Sequence, residues 1–212
     1  MTNGRVLGVA GQLANGKDTV ADYIYEIFVS RGCKNWQRRS FASNVKKIFC
    51  DVFLKTSEYI EEWKRKKEVP DDLDCTVREG LQQIGDGFRK IKSSIWIDLA
   101  FRDNVDKIIS DVRYINELKK INSLGGFNIL VVRPDMINDD PNGSEAQLKP
   151  LAEWAITNPE IAFPSVAIQD NMIEDYPDGL QYVDLILLND GDVESLKRKI
   201  DSMFPFEDYF VV

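Results

Sequence analysis

Histidine is absent from the 212-residue sequence. That absence removes Ser-His-Asp hydrolysis, Cys-His proteolysis and the HExxH zinc site together, so any chemistry must run without imidazole. Cysteine is scarce: Cys33, Cys50 and Cys75 are odd in number and lack CxxC spacing, which predicts three reduced thiols and no zinc or dithiol redox motif. No segment reaches about 18 uninterrupted apolar residues, and MTNGRVLGVAG at the amino terminus has no charged region followed by a long apolar run. A soluble, cytoplasmic protein without a membrane partner is expected. Compositional extremes are missing too: 43% hydrophobic and 29% charged residues give no support to a disordered or fibrous chain. The length suits one α/β domain.

What is present begins with charge. The net charge of −8 disfavours nucleic acid as the main partner, because phosphate neutralisation by Lys and Arg supplies most of that affinity. The distribution is uneven. Lys34 to Lys67 holds ten basic and four acidic residues, whereas Asp135 to Val212 holds four basic and seventeen acidic. The basic stretch suits attraction of a small anion. Lys64, Arg65, Lys66 and Lys67 read equally as the solvated face of an amphipathic helix.

Hydrophobic periodicity lays out strands alternating with helices. RVLGVA (Arg5 to Ala10) is a short buried-strand pattern stopped by Gly11, and Val20, Ile24, Ile27 and Phe28 then recur at helical spacing until Gly32. A second strand is expected at Trp36 to Phe41, followed by helical patterning through Val45, Ile48, Phe49 and Val52 and near Tyr59 to Lys67. Pro70 to Asp74 breaks it, and Thr76 to Ile91 and Ser94 to Arg102 read as helical. KIISDV (Lys107 to Val112), FNILVV (Phe127 to Val132) and DLILL (Asp184 to Leu188) are further strands, with helices from about Tyr114 and over Val193 to Met203. The polar segment Asp135 to Pro150, rich in Asp, Asn, Pro and Gly, reads as an exposed flap. Such alternation predicts a mainly parallel sheet covered on both faces, with ligands at the carboxyl ends of the strands.

The chemistry-bearing motifs fall at those ends. Gly11-Gln12-Leu13-Ala14-Asn15-Gly16-Lys17 matches GxxxxGK, in which glycines let backbone N–H groups face phosphate oxygens and the lysine supplies a mobile charge. The strand before it and the helix after it are the context this motif requires. Asp18, followed by Thr19, stands where Ser or Thr usually follows the lysine. Asp111, near the end of its strand, is placed either to hold Mg²⁺ through water or to cap the helix that follows. Two residues on, Arg113 is placed to grip a phosphate.

With these motifs in place the chain resembles the deoxynucleoside monophosphate kinases encoded by tailed bacteriophages, a branch of the nucleoside monophosphate kinase fold. GKDTVADYI (Gly16 to Ile24) looks like that family's loop and first helix, including the unusual Asp after the lysine. SFASNVKKI (Ser40 to Ile48) is similar to its Phe-Ala-x-x-x-Lys segment, and REGLQQIGDGFR (Arg78 to Arg89) with Trp96 to its Arg-x-x-Leu-Gln-x-Ile-Gly block. SDVRYINE (Ser110 to Glu117) resembles the Asp-Val-Arg-x-x-Asn-Glu signature. Val132-Arg133-Pro134 looks like the start of a flap over ATP, Ser144-Glu145 like its Ser-Glu element, and Asn189-Asp190-Gly191 like the loop near adenine. The histidine often found before Ser-Glu is missing here.

The resemblance implies a P-loop kinase-like three-layer α/β fold in one domain, with a helical monophosphate-binding region over about 42–103 and a flap over about 133–150. It implies ATP and a deoxynucleoside monophosphate as substrates and Mg²⁺ as cofactor, with a homodimer left open. ATP would be held by Gly11, Ala14, Asn15, Gly16, Lys17, Asp18, Thr19, Arg133, Asn189 and Gly191. The deoxynucleotide would meet Phe41, Lys46, Arg78, Gln82, Arg89, Trp96, Arg113 and Glu145. Lys17, Arg113, Arg133 and Asp111 would serve catalysis, and Asp18, Thr19 and Asp111 the metal. Arg78, Gln82 and Arg89, near one face of a helix, read alternatively as solubilising surface residues, and Trp96 as core. Two rival functions remain open: a kinase of a modified nucleoside within DNA, and a nucleotide-binding regulatory module without turnover.

Overall fold

The protein is described by a computed structural model covering residues 4–33, 35–137 and 146–209. The chain divides into two compact units, one formed by Met1–Arg39 with Asp103–Val212 and the other by Ser40–Arg102.

The first unit is built on a five-stranded sheet in the order β2-β3-β1-β4-β5, with every neighbouring pair parallel. The strands are β1 (Val6–Ala10), β2 (Gln37–Arg39), β3 (Lys107–Val112), β4 (Phe127–Val132) and β5 (Leu185–Leu188). The central strand β1 is buried along its whole length, as its unbroken apolar run requires when helices cover both faces. Successive side chains point to opposite faces. Leu7 and Val9 share a core with Ile108, Ile129, Val131, Leu185 and Leu187, closed over by Val20, Ile24 and Phe28 of α1 (Lys17–Ser30) and Leu196 and Ile200 of α9 (Val193–Met203). Gly8, between them, faces the other way, where a Cβ would come 2.7 Å from Ile121 of α6 (Ile115–Ser123). Helix α6 thus covers the second face, making three layers. No helix of the described residues is long and apolar enough to cross a membrane.

Every strand expected from the sequence is present, but β2 is trimmed at both ends. Trp36 leaves the ladder to pack against Phe28, with ring centroids 4.5 Å apart, because filling the core with an indole contributes more than one further strand residue at the sheet edge. Phe41 becomes the N-cap of α2. Two helices were not expected: α7 (Lys149–Thr157), which packs on β4 and β5, and α8 (Pro164–Gln169), on β5. Helix α7 takes up the last two residues assigned to the flap.

At the start of β3, Lys107 is 1% exposed and its Nζ donates to Asp103 Oδ1 at 2.6 Å and to the Asp103 carbonyl at 3.0 Å. The Lys107 ammonium holds the Asp103 carboxyl below the usual carboxylate range. The sign follows: the pair's stabilisation is present above the ordinary carboxylate pKa and is lost as pH falls through the depressed one. Asp103→Asn is therefore expected to lower the melting temperature at pH 7, with the gap to the parent closing as acid protonates Asp103. A gap independent of pH would remove the charge-based account.

The second unit consists of α2 (Ala42–Phe53), α3 (Ser57–Lys66), α4 (Val77–Ile91) and α5 (Ile95–Ala100). Its core is small: Phe49, Ile60 and Val77, ringed by Tyr59, Trp63, Leu81 and Ile84. Helix starts are set locally. Thr56 caps α3 through the Tyr59 N–H, and Thr76 and Glu79 form a reciprocal capping box on α4.

Candidate functional site

Parallel strands all end at one edge, so the loops after β1, β3, β4 and β5 are brought together there: Gly11 to Gly16, Arg113, Arg133 and Asn189. The loop after β1 is fixed by its own backbone and by its neighbours. The Asn15 N–H donates to the Gln12 carbonyl at 3.3 Å, and Gly16, with φ of 98°, is the N-cap of α1. The glycine N-cap offers α1 no side-chain cap, and the N–H groups of a helix's first turn have no acceptor within the helix, an arrangement able to accept an anion. Lys17 is buried, and its Nζ donates back to the Gln12 carbonyl at 2.5 Å, which holds the ammonium over the loop. Asn15 is also buried, with Nδ2 donating to the Val131 carbonyl at 3.2 Å. Ala14 adopts a positive φ of 62° and is exposed.

Asn189, expected from the resemblance to lie near adenine, makes structural bonds that the sequence could not reveal. Its N–H donates to the Val132 carbonyl at 2.7 Å and its Nδ2 to the Asn15 carbonyl at 3.0 Å, tying the end of β5 to the loop after β1. Next to it Asp190 is paired with Lys199 at 2.6 Å, which keeps the Asp190 carboxyl below its usual range. Gly191 lies against Ser195 of α9, close enough that an added Cβ would sit 3.1 Å from the Ser195 Cβ.

Asp111 stands at an irregularity. Gly8 pairs with Ile109 but Ala10 with Val112, so Ser110 and Asp111 together oppose the single residue Val9. A bulge of this kind re-aims side chains beside a site. Asp111 is half-buried within β3, and at the amino end of α6 the buried Glu117 accepts through Oε2 from the Arg113 and Tyr114 N–H groups at 2.8 and 3.1 Å. Glu117 thereby fixes the backbone that carries Arg113. Arg133, half-buried after β4, donates from Nε to Asp135 at 3.1 Å.

Asp18 does not point at the loop. Its side chain is 83% exposed and lies 3.5 Å from the guanidinium of Arg38 on β2, which also pairs with Asp22. Thr19 is half-buried in the same turn of α1. The residues expected to meet Mg²⁺ are hard oxygen donors, as that ion requires, and a site resting on one or two carboxylates plus phosphate and water needs no larger cluster. Among the described residues no group of three or more Cys, Asp or Glu is arranged to hold a metal.

In the helical unit, Phe41 is buried and edge-on to Phe101, with centroids 6.2 Å apart, and Trp96 is buried with Nε1 donating to the Gly85 carbonyl at 3.0 Å, both core positions. Arg78 and Gln82 are exposed on α4, and Arg89 is half-buried and paired with Asp86 at 3.2 Å. Lys46 of α2 and Lys64 of α3 meet around Glu61, at 2.7 and 3.6 Å. Lys64, read from the sequence as part of a solvated face, is half-buried. Burial lowers its pKa, and the positive charges of Lys46 and Arg78 lower it further. Helical periodicity cannot distinguish such a lysine from its exposed neighbours Arg65 and Lys66. Ser144 and Glu145 lie outside the described residues.

No family model matches the chain. A protein of Acanthamoeba polyphaga mimivirus, provisionally named a deoxynucleotide monophosphate kinase, is 31% identical over 171 residues, which is 71% of this chain and 86% of that protein. Among solved structures, that of APE1195 aligns over 100% of this chain and 99% of its own, at 12% identity and a TM-score of 0.41.

Proposed function

The chain belongs to the deoxynucleotide monophosphate kinase family, and from that premise we propose that it transfers the γ-phosphoryl group of ATP to a free deoxynucleoside monophosphate in the cytoplasm, giving ADP and the diphosphate. The observation that carries this reading is the convergence at one sheet edge of an uncapped helix start with its lysine and the two arginines that follow β3 and β4.

The acceptor is a phosphate monoester whose second pKa lies near 6, so its attacking oxygen is already ionised at neutral pH. No general base is needed, and a chain without histidine loses nothing. What remains is alignment and neutralisation of charge. The loop N–H groups and Lys17 bind the β- and γ-phosphates. Arg113, held by Glu117, and Arg133 neutralise charge on the phosphoryl group in transit, and Asn189 keeps the loop in place. Mg²⁺, when bound with ATP, supplies further neutralisation of the β- and γ-oxygens, and Asp111 and the Thr19 hydroxyl are the residues suited to hold it. Recognition of the deoxynucleotide is assigned to the helical unit, with Lys46, Arg78, Gln82 and Arg89 as its polar contacts.

The direct test is ADP release measured across all common deoxynucleoside monophosphates, with short single- and double-stranded DNA offered as competing acceptors. Turnover with free monophosphates and none with DNA is expected. DNA-dependent turnover would move the reading to a kinase acting on DNA. Arg113→Ala should lower kcat with the preferred monophosphate by about a hundredfold while binding of a non-hydrolysable ATP analogue changes little. Lost ATP binding with unimpaired monophosphate binding would reassign Arg113 to the ATP side.

A further inference from the structure

A carboxylate immediately after the phosphate-loop lysine is out of place electrostatically. Asp18 is the second residue of α1, in the turn that receives the nucleotide phosphates if the kinase reading holds, and like charges at such separations repel appreciably. The fold nevertheless keeps this carboxylate off the loop. Asp18 and Asp22 are one helical turn apart and share a face of α1. Against that face lies Arg38, the middle residue of β2, whose Nη2 is 3.5 Å from Asp18 Oδ1 while its Nη1 pairs with Asp22. Arg38 is only 24% exposed, and its Nε is buried with no hydrogen-bond partner among the described residues. A buried Nε left unpaired is unfavourable, so the guanidinium is placed by its two carboxylates.

We infer that Arg38 is a positioning residue of the ATP site, which holds the Asp18 carboxylate outward so that it does not oppose the triphosphate. The inference rests on the kinase reading and adds a residue outside every motif that supports it. Asp22 anchors the guanidinium, and Asp18 is the charge being restrained. The Arg38 guanidinium meets Asp22 through Nη1 and Asp18 through Nη2, so its influence on nucleotide passes through Asp18.

The test is the affinity for a non-hydrolysable ATP analogue at fixed Mg²⁺, measured by calorimetry on the full chain and on Arg38→Gln, Asp18→Asn and the double variant. Freeing Asp18 in Arg38→Gln should weaken binding about five- to tenfold. Asp18→Asn should bind more tightly than the parent, and the double variant should return to the affinity of Asp18→Asn. A merely structural Arg38 would lower the melting temperature without moving affinity, and that result overturns the proposal. So does a double variant as weak as Arg38→Gln, since Arg38 would then act independently of Asp18. Should Arg38→Gln fold poorly, Arg38→Lys keeps a charge without the fork and should lie between parent and Gln; parent-like weakening-free binding by both Lys and Asp22→Asn variants overturns the anchoring role. A parent that binds no ATP analogue overturns the kinase reading and this inference with it, whereas an unrescued Arg38→Gln in a binding-competent parent overturns this inference alone.

Discussion

Lys17→Ala is expected to reduce kcat by about a thousandfold, the scale seen when a preorganised charge or donor is taken from a developing negative charge. The reason lies in where the ammonium already is. Lys17 is buried, and its Nζ is fixed on the Gln12 carbonyl at 2.5 Å, so it is positioned over the loop before any phosphate arrives and little reorganisation remains. The same burial means that part of the side chain contributes packing. Lys17→Met, which keeps the aliphatic stem, separates the two: it should melt close to the parent yet be as inactive as Lys17→Ala. Turnover in Lys17→Met within a few fold of the parent would remove the phosphate-loop assignment.

The second large effect is expected at Gly11. An added Cβ would lie 2.4 Å from the Val131 carbonyl oxygen, a backbone atom of β4, and Gly11 has a φ of 148°. Neither partner can yield cheaply, because Val131 is buried in the core, pairs in register with Leu187 of β5, and its carbonyl already accepts from Asn15 Nδ2. Gly11→Ala should therefore cost about 2–4 kcal/mol of stability through displaced backbone and strain. For a chain of this length that is a fall of roughly 5–15 °C in melting temperature. Nucleotide affinity should fall as well, since the displaced residue opens the phosphate loop. Gly32→Ala is the control. Gly32 also has positive φ, 87°, but nothing lies within 4 Å of its Cβ position, so only the left-handed backbone penalty of about 1 kcal/mol applies. Equal melting shifts for the two variants would show that close approach to β4 is not what Gly11 is for.

Much of the architecture could be read from residue order. Buried parallel strands announce themselves as short continuous apolar runs, which is why β1, β3, β4 and β5 stand within a residue of where RVLGVA, KIISDV, FNILVV and DLILL place them. The setting of the GxxxxGK heptad was readable because it is local: seven consecutive residues, a strand before and a helix after. Helices α7 and α8 were not, since each is short and has a proline in its first turn, Pro150 or Pro164, and proline is a weak start signal when no long periodic stretch follows it. Cys33, Cys50 and Cys75 are free and half-buried.

The sequence by itself determined the strands and the longer helices, that the central strands are buried on both faces, and that a glycine-bounded loop joins the first strand to the first helix. Those are properties of spacing and of neighbouring residues, and they need no knowledge of what lies across the sheet. Only the tertiary structure decided the strand order β2-β3-β1-β4-β5, the bulge that sets Ser110 and Asp111 against Val9, the bond from Asn189 to the Asn15 carbonyl, and the capture of Asp18 by Arg38. Each joins residues distant along the chain, 174 apart for Asn15 and Asn189 and 20 for Asp18 and Arg38. Such pairings follow from which surfaces bury together, and periodicity along one segment carries no information about the segment it will meet.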